Sequence, residues 1–470
     1  MSLRLIVLCI SIVGLSVYAW KDWFKSLCGL VVLMAVIEHE DVPKTILGIQ
    51  GLNPWNVLFV VIVLAWAANR TREGLTWDLP RHIGVLLLLY LGVILIGVAR
   101  AIFDRSHIES YPLGSLISEE LINTIKWVLP GLLLFDGCRT RRRVITALIC
   151  LFVMYLGISA QMINRMPARS AFSGGEEIQH TRLKTCDSIG YSAAEMSTML
   201  AGASWGLLAA LPLVRKNKYR VLLVVAALAV IYAQALTGGR AGYIAWGVTG
   251  IILCLLKWRK YLLLTPVVVV LLPVVFPAAA QRMLFGFGET DVTGEATVST
   301  YEMTSGRLVI WPYVVEKIEE APLIGYGRLA MKRTGLADWL MSELNESFPH
   351  PHNLYMETLL DNGILGSIPI AILWGYMVVY SLRLFKSSNR LYSAIGGLAG
   401  ALVLAQLLAG IGAQHVYPKE STMGMWTAML LCLRVHVEEV HTRMDAFPID
   451  EFQGGQAVEP LRPAVVPAYA

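Results

Sequence analysis

Hydrophobic residues recur along the chain in long runs separated by short polar connections. The runs fall near 3–20, 23–37, 55–68, 82–99, 121–135, 143–163, 196–214, 220–236, 241–256, 261–278, 363–382, 391–413 and 421–434. Most approach about 18 residues, and a helix rising about 1.5 Å per residue spans most of a hydrocarbon core about 30 Å thick over that length. The runs are continuous rather than alternating, which selects helices over the strands of a membrane barrel. The pattern predicts an all-α polytopic membrane protein of about 12–13 transmembrane helices. One long polar interval, between the tenth and eleventh runs, breaks the rhythm. The expected division is 1–280, N-terminal membrane helices; 281–362, a large loop; 363–434, C-terminal helices; and 435–470, a polar tail expected to be disordered.

Composition agrees. Of 470 residues, 56% are hydrophobic and 16% charged, with mean hydropathy +0.59, whereas soluble domains carry about 25% charged residues. Placement of charge says more than the net +5. Basic clusters (Lys21/Lys25, Arg70/Arg72/Arg81, Arg139 to Arg143, Arg215 to Arg220, Lys257 to Lys260, Arg383 to Arg390) occur at every second connection. The positive-inside rule puts those connections in the cytoplasm. Segments 100–120, 164–195, 237–242, 281–362 and 414–420 then lie outside, and the tail inside. Thirteen spans imply an external N-terminus; an internal one needs a re-entrant or interfacial segment within 1–37. Signal cleavage after Val17-Tyr18-Ala19 is not expected, because Arg4 alone makes a poor basic leader. Of seven cysteines only Cys186 sits in a long extramembrane segment, so neither a disulfide framework nor a zinc site is expected. No cofactor, metal or nucleic-acid partner is expected.

Candidate chemistry gathers on the outer side. Arg240, in Thr237-Gly238-Gly239-Arg240-Ala241-Gly242, is either an arginine snorkelling from a helix end or a ligand contact for which the glycines clear space. Arg307 opens a helix behind Thr304-Ser305-Gly306, with Thr304 or Ser305 as the expected cap. It is either an anion site at a helix start or a loop arginine paired with Glu302 or Glu316. His350 and His352 precede an amphipathic helix, and an imidazole near pKa ~6.5 suits general-base work; two plain loop histidines are the alternative. Arg182 and Arg328, taken singly, read as solvated arginines. Together these residues put several cations and a histidine at one membrane face, which suits a lipid-linked phosphate or diphosphate.

With these pieces assembled, the chain resembles the O-antigen ligase and polymerase-related family of bacterial inner-membrane glycan transferases. The matching residues are Thr237-Gly238-Gly239-Arg240-Ala241, Ser305-Gly306-Arg307 before an aromatic-containing helix, Pro322-Leu323-Ile324-Gly325-Tyr326-Gly327, and His352-Asn353 followed by Glu357, Gly363 and Gly366. Tyr191–Leu200 resembles the segment opening a middle helix of the ligases. The resemblance implies an inner-membrane protein with its active site facing the periplasm. The donor would be an undecaprenyl-diphosphate-linked glycan and the acceptor a lipid A–core sugar or other glycan. It further implies that Arg240 and Arg307 hold the diphosphate, that His352 is the base with His350 as the alternative, and that Arg182 is a looser match to a third arginine. Arg328 and His350 are carried as substrate-binding candidates. Ligase is expected over polymerase on the 191–200 stretch. A carrier, such as a lipid-linked oligosaccharide flippase, should place ionisable residues at mid-membrane; Lys126, in the 121–135 run, is the main such residue here.

Overall fold

The computed structural model describes residues 3–45, 51–167, 176–275, 277–284, 304, 306–412 and 417–442. Every regular element among them is helical. Six helices are long and apolar enough to cross a membrane: Arg81–Phe103, Arg141–Arg165, Ala193–Leu213, Asn217–Thr237, Leu354–Lys386 and Arg390–Ala409. Four shorter apolar helices accompany them, Arg4–Ala19, Trp23–Ile37, Pro54–Arg70 and Arg240–Leu256. The all-α membrane class therefore stands at the level of these helices. Two expected spans are not continuous. The 121–135 run is divided among a π-helical turn, Ile117–Ile122, and two short helices, Asn123–Lys126 and Leu129–Gly137, with Pro130 at the second start. The 261–278 run begins within a 3₁₀ turn, Arg259–Leu264, and continues in the helices Thr265–Val275 and Pro277–Leu284. Proline lacks the N–H that an uninterrupted helix needs, so it sits at first turns. Residues 435–442 of the expected tail continue the helix Met423–Thr442, with Val435, His436, Val437 and Glu438 buried; the rest of it, 443–470, and much of the first part of the large loop (285–303 and 305) lie outside the described residues.

Small side chains bring the central helices close. Ala201, Ala245, Ala405 and Ala409, all buried, form the seam where Ala193–Ala209, Arg240–Leu256 and Arg390–Ala409 meet. Without a strong hydrophobic drive between helices in lipid, such close contact is what holds them.

The Leu354–Lys386 helix is interrupted at Gly363, whose φ of 59° and ψ of −170° are open to glycine only. The break frees backbone groups on both sides, and the Pro322–Gly327 segment takes them. Tyr326 and Gly327 donate their N–H groups to the carbonyls of Leu360 and Asp361 (2.9 and 2.7 Å), while Ile364 and Leu365 donate to Pro322 and Leu323 (2.8 and 3.0 Å). A Cβ on Gly363 would lie 2.3 Å from the Leu323 carbonyl carbon. The Pro322–Gly327 motif thus splices a broken helix.

One end of the bundle is an ion-pair lattice. Asp78 accepts from Arg139 (2.8 Å) and Arg434 (2.7 Å), and the fully buried Asp136 accepts from Arg70 (3.0 Å) and Trp66 (2.9 Å). Lys257 nearby donates to the Phe385 carbonyl (2.8 Å) and the Ser393 hydroxyl (2.7 Å). The opposite end carries the candidate residues.

Candidate active site

Two glycines let the helices Asn217–Thr237 and Arg240–Leu256 turn within a few residues. Gly238 is left-handed at φ 67°, and a Cβ there would sit 1.9 Å from Nη1 of Arg182. Arg182, on the helix Glu176–Ile189, therefore lies directly on this turn and is buried, where it was expected to be solvated. The Ser197 hydroxyl donates to the Gly239 carbonyl (3.0 Å), fixing the turn against Ala193–Ala209. That helix is itself set by a capping box between Ser192 and Glu195. Arg240 is the first residue of its own helix, two positions from the glycine that Arg182 covers. Arg182 and Arg240 are thus brought to one turn.

A second group forms around Arg307, the first residue of the helix Arg307–Glu320. The expected Thr304 or Ser305 cap is not what begins it: Gly306 occupies the cap position at φ 74°, without a side-chain cap, and Ser305 lies outside the described residues. Arg307 Nη1 donates to the Thr304 carbonyl (3.1 Å). One turn further, Trp311 Nε1 donates to the Pro351 carbonyl (3.1 Å), which fastens His350-Pro351-His352 to this helix. The two imidazoles stand edge to face with centroids 4.3 Å apart. Burial, chiefly, lowers His350 to about 4 and His352 to about 3, and the Arg307 charge adds to both. Both rings are therefore neutral near pH 7, with a lone pair to offer. Immediately after them Asn353 caps the long helix, its side-chain oxygen accepting from Tyr355 (3.0 Å) and Met356 (3.1 Å). His352 is held at φ 51°, a left-handed conformation unusual for a non-glycine residue. Such conformations persist where neighbours over-determine them, often at functional sites.

The turn at 410–412 joins the two groups. Leu354 donates its N–H to the Gly410 carbonyl (2.7 Å), and the Tyr355 hydroxyl donates to the Leu407 carbonyl (2.7 Å). A Cβ on Gly412 would meet the Cβ of Ala241 at 3.8 Å. The residue after Arg240 and the second residue after His352 therefore pack on one short turn. Arg182, Arg240, Arg307, His350 and His352 gather at this end of the bundle. Helix starts and guanidinium groups here favour an anion.

Arg328 is not brought to the histidines. It too is buried rather than solvated, but its guanidinium pairs with Glu120 and with Asp361 (3.8 Å) and lies 3.5 Å over the Tyr417 ring. Burial pulls its pKa down, but the Glu120, Tyr417, Asp361 and Glu357 charges outweigh that and leave it raised. Tyr417 also donates to Asp361 (3.0 Å), about two turns along the helix that Asn353 caps. Arg328 braces the kinked helix. Trp311, Ser197, Asp361 and Tyr417 carry this architecture, and none stood out in the sequence. Ser197, Trp311 and Asp361 lay in stretches already singled out, but not for these contacts.

A sequence model described as O-antigen ligase matches residues 222–371, which include Arg240, Arg307, Arg328, His350 and His352 but not Arg182. The chain is 27% identical over 173 residues to a "Putative polysaccharide ligase" of Rickettsia conorii, covering 35% of this chain and 40% of that protein. A protein of the same name from Rickettsia felis is 27% identical over 198 residues, 41% of this chain and 46% of its own. A ComP-specific O-oligosaccharyltransferase of Acinetobacter baylyi is 27% identical over 166 residues, 33% and 28% of the two chains. The chain spans less than half the length of each of these relatives.

Proposed function

We propose, from the premise that this chain is a member of an O-antigen ligase-related family, that it moves a glycan from a lipid-linked diphosphate to an acceptor hydroxyl at the outer face of the bacterial inner membrane. The observation that carries this is the clustering of Arg307 with two neutral imidazoles, on walls shared with the Arg240 turn.

In this reading the undecaprenyl diphosphate of the donor lies between Arg307 and Arg240, with Arg182 behind the glycine turn. His352 takes the proton from the acceptor hydroxyl as that oxygen attacks the anomeric carbon. The bond from that carbon to the diphosphate oxygen breaks, and the negative charge growing on the leaving group falls to the guanidinium groups. Diphosphate is already a good leaving group, so positioning and charge stabilisation carry the step. Burial is the main cause that lowers His352; a bound diphosphate offsets the lesser Arg307 charge and so raises its basicity when donor is present. His350 stands edge to face with His352 and is its alternative as base. A lipid A–core sugar is the acceptor that fits the ligase reading.

The test is incubation of the purified protein with an undecaprenyl-diphosphate glycan and candidate acceptors. The expected result is release of undecaprenyl diphosphate together with a lengthened acceptor. Translocation of the intact lipid-linked glycan without transfer would overturn it. Extension of a second lipid-linked repeat, in place of a lipid A–core sugar, would reassign the protein as a polymerase.

A further inference from the structure

A cavity opens at the same end of the bundle, outside the arginine–histidine cluster. It encloses about 400 Å³, within the size of small-molecule sites. Glu38, Asn53, Asn56, Glu119, Asn123 and Lys126 line it. Its place at this end is fixed by Glu38, whose carbonyl lies against Gly190 just ahead of the Ala193–Ala209 helix, and by Glu40, which donates its N–H to the Ser188 carbonyl (3.2 Å). Lys126 is the ionisable residue that interrupts an otherwise apolar run. Here its amine donates to the Asn56 side-chain oxygen (3.3 Å) and lies over the rings of Trp127 (4.4 Å) and Trp55 (5.3 Å). Both tryptophans also line the cavity, and both indole N–H groups are buried without an acceptor among the described residues. Buried donors left in that state are a reason to look for a guest.

We propose that this cavity binds a sugar segment of the glycan substrates. The chemistry is that of an uncharged polyol. Carboxylates and amide oxygens accept from hydroxyl groups, while Lys126 and the amide nitrogens donate to them. The carboxylates of Glu38, Glu119 and Glu420 against the amines of Lys44 and Lys126 disfavour a polyanion such as the diphosphate itself. A π-helical turn, a form frequent at functional sites, supplies Glu119 to the cavity. Its neighbour Glu120 turns away to pair with Arg328, which reaches Asp361 on the helix that follows His352; Tyr417 donates to the same Asp361. Glu420, three residues past Tyr417, returns to the cavity. The cavity is linked to the helix that follows His352 through the Glu120–Arg328–Asp361 contacts. This assignment deepens the transferase reading and rests on it for the source of the sugar.

The test uses the full-length purified protein and binding rather than turnover. Two probes are oligosaccharides released by mild acid hydrolysis from the producing organism's surface polymer and from its lipid A–core; a third is a neutral oligopeptide of similar mass. Wild type is expected to bind one of the sugars, with Lys126→Met and Trp127→Phe each weakening it about tenfold or more, and His352→Ala binding as wild type does. Which sugar binds separates donor chain from acceptor. In wild type, saturating sugar should also shield Lys126, but not Lys317, from acylation read by peptide mass spectrometry. That readout stands even if a variant fails to fold. Unchanged sugar affinity in both cavity variants with Lys126 unshielded, or shielding by the peptide alone, would overturn the proposal while leaving the transferase reading intact. Full transfer activity in His352→Ala, with sugar binding lost in the cavity variants, would overturn the catalytic assignment and leave the cavity standing.

Discussion

The two ends of this bundle use arginine in opposite ways. At one, Arg70, Arg139 and Arg434 are matched against Asp78 and Asp136, so that charge closes on itself and ties helices together. At the other, Arg182 and Arg240 share a glycine turn, and Arg307 stands beside two imidazoles whose protonation it opposes. Arg328 shows that even within the large loop the closed arrangement occurs, since Glu120 and Asp361 claim its guanidinium. An arginine set against carboxylates stabilises the fold; Arg307, set beside two neutral imidazoles, is the one we propose to meet the diphosphate.

The sharpest way to break this contrast is at the end that carries Arg307 and His352. Arg307→Ala or His352→Ala should each lower glycan transfer by about 10²–10³, with expression and membrane insertion unchanged on fractionation. Near-normal transfer by His352→Ala would move the base to His350. Gly238→Ala forces a side chain into a left-handed residue and onto Arg182, and should cost about 10- to 100-fold in transfer through misplacement of the turn. Gly247→Ala, with open space around it, is the control expected to change nothing.

Asp78→Ala probes the closed end. Removing the partner of Arg139 and the buried Arg434 should cost on the order of 2–3 kcal/mol, read as a lower thermal inactivation midpoint in detergent, with transfer per folded molecule unchanged. Burial alone would raise the Asp78 pKa, but Arg434 and Arg139 hold it below its ordinary value. Its contribution is accordingly present above the ordinary carboxylate range and lost as pH falls through the depressed value.

The smallest effect concerns pH. His350 and His352 are lowered from 6.5 to about 4 and about 3, so their contribution to stability is full above 6.5 and drains as pH falls toward those values. Donor binding should raise the His352 value by offsetting Arg307. The acid limb of kcat is then expected roughly one pH unit above that of kcat/KM. Coincident limbs would mean that the diphosphate does not neighbour the base.

Much of this was legible beforehand. Runs of apolar residues declare membrane helices because lipid leaves the backbone no other partner. The glycine turn before Arg240 and the His-Pro-His stretch were visible as special chemistry. Less legible was the division of labour among the arginines. Arg182 and Arg328 looked alike as lone loop residues, yet one covers Gly238 and the other is enclosed by Glu120, Asp361 and Tyr417, contributed from segments far apart in the chain. Nor could spacing reveal that Trp311 holds Pro351, or that Pro322–Gly327 splices the helix broken at Gly363.

Sequence by itself determined the helical class, the break in rhythm at the large loop, and which residue types could meet an anion, because hydropathy and backbone preference act locally. Tertiary structure alone decided which of those residues meet. A guanidinium's role depends on whether a carboxylate or an imidazole stands beside it, and at these positions the neighbour comes from another helix.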